Sequence, residues 1–181
     1  DAVQKGLSLL KGKEGEIIAS KQVTLLDDPH LENGLASVPF DDEGVATKKK
    51  DIIHEGKLMT LLHNLKTANK GNTKSTGNGF KNSYASPVGV SPTNLYIQKG
   101  EKSFEELLKD VGEGLLITEF AGLHSGANSI TGDFSLAAKG FYIKDGKKDY
   151  PVEQITVAGN FFDLLKNIEV VGSDLKFPMS S

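Results

Sequence analysis

Asp145-Gly146 narrows what this chain can build more than any other pair of residues in it. An Asp-Gly pair readily takes the left-handed backbone that a two-residue hairpin turn requires, and this one stands between two β-compatible runs, Phe134 to Lys144 and Val152 to Val157. Strands joined that tightly run antiparallel. A second hairpin is expected over residues 46 to 62, where runs ending in Ile52-Ile53 and starting at Leu58 flank the turn-forming His54-Glu55-Gly56-Lys57. Val23 to Leu26, Asn94 to Gln98, Leu115 to Phe120 and Ile168 to Val171 add further short strands.

Helical signals are fewer. Ser103 and Glu106 form a capping box in front of Leu107 and Leu108, which predicts a helix over 104 to 111 that stops before Gly112. Val3, Leu7 and Leu10 share one helical face and predict a helix over 2 to 11, ended by Gly12 and Gly15. Asn160 opens a third through residue 166, carrying Phe162, Leu164 and Leu165. Strands outnumber helices and hairpins outnumber crossovers, so the predicted fold class is α+β: one β-rich domain over residues 1 to 181, a mainly antiparallel sheet with a few short packed helices. A chain of 181 residues is long enough to bury roughly 70% of its unfolded surface.

Polar stretches separate these elements. Asp27-Asp28-Pro29 and the Gly34 to Gly44 stretch read as an extended loop; residues 67 to 92 turn rich in Asn, Gly, Ser and Thr, and no regular element fits them; residues 122 to 133 form a glycine-punctuated loop. Rigid scaffolds place their contacts on loops of this kind, so Asn78, Asn94 and His124 are the expected substrate or partner contacts, facing a cavity or a neighbouring subunit. The carboxylates at 27, 28, 41, 42 and 43 read as solvated turn formers rather than a hard-cation site. Lys48, Lys49 and Lys50 cannot all point one way along a strand; two share a solvent face, and the run reads as charge on an edge strand rather than a phosphate site.

Composition removes several function classes. The net charge is −3 and every basic residue is Lys, which leaves little of the electrostatic footprint of a nucleic-acid binder. There is no cysteine, hence no disulfide, thiolate nucleophile or Cys-ligated zinc, as suits the cytoplasm. No apolar run approaches the roughly 20 residues of a membrane span. His54-Glu55 begins like a zinc-protease motif, but Leu58 and Met59 stand where a second helical ligand belongs and His63 comes nine residues on. No transition metal is therefore expected at His30, His54, His63 or His124. His124, Ser125 and Asp133 supply the side-chain types of a hydrolase triad, yet adjacent side chains in extended backbone diverge and no nucleophile elbow surrounds Ser125. GNGF and GLHSG lack both the P-loop ending and the dinucleotide glycine spacing. Neither a catalytic residue nor a cofactor is expected within this chain.

DDPHLENGLASVPFDDEGV at 27 to 45, TGNGFKNSY at 76 to 84, GLHSGANSITGDFSLAAKGFYIKDG at 122 to 146 and PVEQITVAGNFFDLLKNIEVVGSDL at 151 to 175 together resemble the TldD/PmbA family, once called modulators of DNA gyrase. The likeness covers nearly the whole chain, and GLASVPFDDEG after DDP is the wording of its PmbA branch, also called TldE. The resemblance implies a C-terminal fragment of a cytoplasmic peptidase system whose TldD-type subunit carries zinc on an HExxxH helix plus a later cysteine. Those ligands would fall before Asp1 and beyond Ser181. It further implies a non-catalytic subunit that pairs with a TldD-type subunit or with itself as a dimer and serves the maturation and degradation of unfolded peptides. Zinc is expected only in the TldD-type partner. The alternative is an independently active hydrolase with an unrecognised site.

Overall fold

In a computed structural model, which describes residues 2–177, the chain forms two compact units that divide between Gln98 and Lys99. Both follow the expected α+β plan of antiparallel sheets with short helices.

The first unit contains β1 (Leu25–Asp27), β2 (Lys50–His54), β3 (Lys57–Leu58), α1 (Leu65–Lys70), β4 (Gly79–Phe80), β5 (Gly89–Val90) and β6 (Leu95–Ile97). Four of these make an antiparallel sheet in the order β3-β2-β1-β6, while β4 and β5 pair separately. The β2-β3 hairpin turns where expected, through Glu55 at φ 45° and Gly56 at φ 82°. Two successive left-handed residues are what the twist-matched hairpin turn needs. Gly56 is also pressed against the Ala19 carbonyl, so a side chain there would meet backbone. Ile18, Val23, Leu26, Ile53 and Leu58 form the apolar core.

The second unit contains α2 (Phe104–Val111), β7 (Gly114–Ala121), α3 (Leu123–Gly126), β8 (Asp133–Lys144), β9 (Lys147–Asn160) and α4 (Phe161–Lys166), with β8 at the centre of a three-stranded antiparallel sheet. Asp145 at φ 51° and Gly146 at φ 69° make the predicted hairpin between β8 and β9. Along β8 the side chains alternate, Leu136 and Ala138 buried and Ser135, Ala137 and Lys139 exposed. The α2 capping box forms as read: Ser103 Oγ accepts from the Glu106 amide at 3.3 Å, and the Glu106 carboxylate accepts from the Ser103 amide at 2.7 Å. Asn160 caps α4 by accepting from the Phe162 amide at 3.0 Å.

Four local expectations fail. Residues 2–11 form turns instead of a helix: the amides of Lys5, Gly6 and Leu7 bond back to Ala2 and Val3, and Gly6 at φ 72° stops propagation after one turn. A helical nucleus that short gains too few hydrogen bonds to offset its ordering. Ile168 to Val171 form no strand, and pairing begins one residue later, as a single parallel bridge between Gly172 and Lys102. The 67–92 stretch does contain regular structure. Helix α1 runs into it because Asn64 and Thr67 make a capping box that uses Thr where Glu or Gln is usual. Within 122–133, α3 forms one turn.

Candidate functional site

The first unit is built around buried polar groups. Antiparallel register sets Asp27 of β1 directly opposite Lys50 of β2, and the lysine ammonium lies 3.1 Å from Asp27 Oδ2. Asn78 Nδ2 donates to the same oxygen at 2.8 Å, while the Thr93 amide and hydroxyl donate to Oδ1 at 2.7 and 2.6 Å. Asp27 is 0% exposed. Burial pushes its carboxyl up, but the bonds from Thr93, Asn78 and Lys50 together outweigh burial and hold it below the usual carboxylate range. Next along the chain, Asp28 Oδ2 pairs with Lys49 Nζ at 3.1 Å, and that hydrogen bond raises the lysine above its ordinary value. Two corrections follow. Lys50 does not decorate an edge, since β2 lies inside the sheet between β3 and β1 and its ammonium answers a buried carboxylate; Lys48 and Lys49, just before the strand, are exposed, and Lys49 pairs with Asp28. Nor are Asp27, Asp28 and Asp41 solvated, since all three are buried.

Asp41, Asp42 and Glu43 act as clamps on the backbone. Asp41 Oδ1 accepts from the amides of Glu43 and Val45 at 3.0 and 2.9 Å, and its Oδ2 accepts from Gly79 at 2.9 Å. Asp42 accepts from the Lys81 amide and Glu43 from the Leu65 amide, both at 2.7 Å. Glu43 thus places negative charge at the first turn of α1, where the helix dipole favours it. Asn78 and Asn94, two of the expected contact residues, are both buried and converge on the Asp27-Asp28 segment. Asn94 Nδ2 donates to the Asp28 carbonyl at 2.8 Å and to Ser37 Oγ at 3.0 Å, and its Oδ1 accepts from the Ala36 amide at 3.0 Å. Their side-chain bonds to named partners all lie inside the first unit.

His124, the third expected contact, is an exposed residue of α3 in the second unit. Its neighbours do not assemble a triad: Ser125 Oγ donates to the Gly122 carbonyl at 3.3 Å, and the Asp133 carboxylate accepts from Asn160 Nδ2 at 2.9 Å. Asn160 and Thr131 hold Asp133 below its ordinary value. Beside these residues opens a cavity of about 440 Å3 lined by Phe120, Leu123, Phe134, Leu136, Phe161 and Leu164. Sequence reading missed this cavity and the Asp27 centre. The signals were present, in the Phe161-Phe162 pair closing a strand and in a double Asp whose opposite charge stands in a lysine run, but only the strand pairing brings them together.

Among the described residues no three His, Cys, Asp or Glu side chains gather as a ligand group. His30 Nε2 lies 3.2 Å from the Thr47 carbonyl, His54 Nδ1 is 2.8 Å from Asp51 and His63 Nδ1 is 3.3 Å from Thr67 Oγ1, so three of the four rings face separate local partners. Among the described residues no helix is long and apolar enough to cross a membrane.

A fold of two α+β units, one carrying a buried carboxylate centre and one an aromatic-lined cavity, matches a known family along its whole length: the chain belongs to the PmbA/TldA metallopeptidase C-terminal domain family, whose model aligns with residues 1–181. Among curated relatives, Metalloprotease PmbA of Escherichia coli O157:H7 is 39% identical over 177 residues, covering 97% of this chain and 36% of that protein. A candidate modulator of a DNA gyrase from Thermotoga maritima has a solved structure that superposes with a TM-score of 0.91 at 51% identity, covering 98% of this chain and 40% of its own. TldE from Thermococcus kodakarensis superposes with a TM-score of 0.88 at 30% identity, covering 96% and 39%. The chain therefore spans well under half the length of these relatives.

Proposed function

We propose that this chain is the C-terminal domain of a non-catalytic, PmbA/TldE-like subunit of a cytoplasmic metallopeptidase system, acting with a TldD-type subunit, or as a dimer of its own, on unfolded peptides. The observation that carries this reading is the saturation of the domain's buried polar groups. The buried carboxylates accept from amides, hydroxyls or lysines of the same unit, and among the described residues no buried side-chain nitrogen or oxygen lacks a partner. A hydrolytic site needs an activated nucleophile or water together with a place for the developing oxyanion, and groups so fully engaged supply neither. The exposed apolar residues around the second unit's cavity, Phe120, Leu123, Phe161 and Leu164, suit contact with another chain. Zinc belongs, on this reading, to the TldD-type partner.

The test uses the full-length protein with and without a TldD-type subunit, following cleavage of an unstructured peptide. The expected result is no turnover by the protein alone and turnover that is gained or redirected in the mixture. Metal-independent cleavage by the isolated protein, abolished by Ser125→Ala, would establish the independent hydrolase instead.

A further inference from the structure

We propose that Asn33 is a site of spontaneous deamidation and isoaspartate formation, while the chain's other Asn-Gly pair, Asn78-Gly79, is protected by the fold. Both pairs have the local chemistry for the reaction, because a glycine amide has no side chain to hinder its approach to the preceding carboxamide. The glycine nitrogen loses its proton and attacks the Asn Cγ; a C–N bond forms, the side-chain nitrogen leaves as ammonia, and a five-membered succinimide results. Water then opens the ring at either carbonyl to give aspartate or isoaspartate. The proton taken by base from the glycine nitrogen returns to the departing nitrogen, so one water is consumed net, and no oxidant or reductant takes part.

The structure separates the two pairs. Asn33 is exposed, sits at φ 58°, and its side chain accepts or donates no hydrogen bond within the described residues. The Gly34 amide is restrained by one bond, to the Leu31 carbonyl at 3.0 Å across a surface turn. Asn78 is 0% exposed, its amide donates to Asp27 and to the Ser91 carbonyl at 2.8 and 3.0 Å, and its oxygen accepts from Thr76 at 2.7 Å. The nucleophile there, the Gly79 amide, donates to the Asp41 carboxylate at 2.9 Å. A neighbouring negative charge also opposes formation of the amide anion. Asn78 can react only after the first unit opens locally, whereas Asn33 can react in the folded state.

Modification at Asn33 has a definite structural reach. An isoaspartate adds a methylene to the main chain immediately before Gly34, and Gly34 packs so closely on Asn94 that even a Cβ would lie 2.7 Å from Asn94 Nδ2. Lengthening the backbone there displaces the segment whose Ala36 amide bonds to Asn94 Oδ1.

The experiment incubates the full-length protein at mildly alkaline pH, folded or in concentrated urea, and follows the mass gain of two tryptic peptides, residues 22–48 and 75–81, each with a single Asn. In the folded protein the peptide with Asn33 is expected to convert at least about tenfold faster than the peptide with Asn78, a ratio that a local opening free energy of about 1.4 kcal/mol imposes by itself. In urea the two rates should approach each other, and Asn33→Gln should abolish the change in 22–48. Equal rates in the folded protein, or an Asn33 peptide that stays intact when folded yet converts in urea, would overturn the proposal.

Discussion

The two units solve the same problem in opposite ways. In the first, strands are two to five residues long, and the interior holds Asp27, Asp28, Asp41, Asn64, Asn78 and Asn94 beside its apolar core. In the second, strands run to 8, 12 and 14 residues, and the buried hydrophobics are Leu136, Ala138 and Ile143. Short strands contribute few ladder hydrogen bonds, so side-chain acceptors take up the amides of the connecting loops. Long strands satisfy their own backbone, but a three-stranded sheet has little to cover its faces, and Leu115, Phe120, Tyr150, Phe161 and Leu164 stay about half exposed. Both units expose apolar side chains, Ile17, Leu35 and Phe40 among those of the first; what separates them, among the described residues, is that the buried polar side chains all lie in the first.

The strongest blow to the first unit is Asp27→Ala. It strands the Lys50 ammonium, the Asn78 amide and the Thr93 donors around a buried vacancy, at a cost of about 3 to 5 kcal/mol. Urea unfolding of the full-length protein should show this as a large drop in the midpoint. A loss below about 1 kcal/mol, the scale of one ordinary hydrogen bond, would mean that the centre is ornamental.

Phe161→Ser should act differently. Phe161 is 49% exposed, so the melting transition should move by about 1 kcal/mol, much less than for the Asp27 change. If the proposed pairing holds, association with a TldD-type subunit should weaken by about 2 kcal/mol, as for an aromatic anchor; thermal melts read the first member of that contrast and titration calorimetry the second. A variant that loses stability and keeps its partner would reverse the assignment of the two units.

Caps compare the units at smaller scale. Asn64→Ala removes a buried cap that also donates to the Val88 and Gly89 carbonyls at 3.4 Å, and should cost about 2 kcal/mol. Ser103→Ala removes a half-buried cap and should cost nearer 1 kcal/mol. Equal losses in paired denaturation curves would argue that burial adds nothing to a cap.

The smallest effects are those of pH. Burial lowers His63, so the folded ring binds its proton more weakly than the unfolded ring with its value of 6.5. Stability on this account is full above that value and declines as pH falls through it toward the folded value. Asp27 is also lowered, from 3.8, so its contribution is present above that value and is lost as pH falls through its lower folded value. His63→Gln should flatten the upper window and Asp27→Asn the lower one in a series of thermal melts. Unchanged slopes would show that neither group reports on folding.

The elements that sequence alone determined are those set by a few neighbouring residues. Asp145-Gly146 specifies its hairpin because both residues tolerate left-handed backbone, and the capping box of Ser103 and Glu106 specifies α2 because it satisfies two amides within one turn. The resemblance of four segments to the TldD/PmbA family was legible for a similar reason, since it resides in contiguous residues. Tertiary structure alone decided the rest. Whether a carboxylate is solvated or buried depends on what stands opposite it, and Asp27 meets Lys50 across 23 residues and Asn78 across 51. Phe120, Phe134 and Phe161 line one cavity because β7, β8 and the start of α4 are brought together by strand register. Between strands distant in the chain, such as β1 and β2, register is settled by which faces pack inward, whereas only a tight hairpin such as that at Asp145-Gly146 has its register fixed by its own turn.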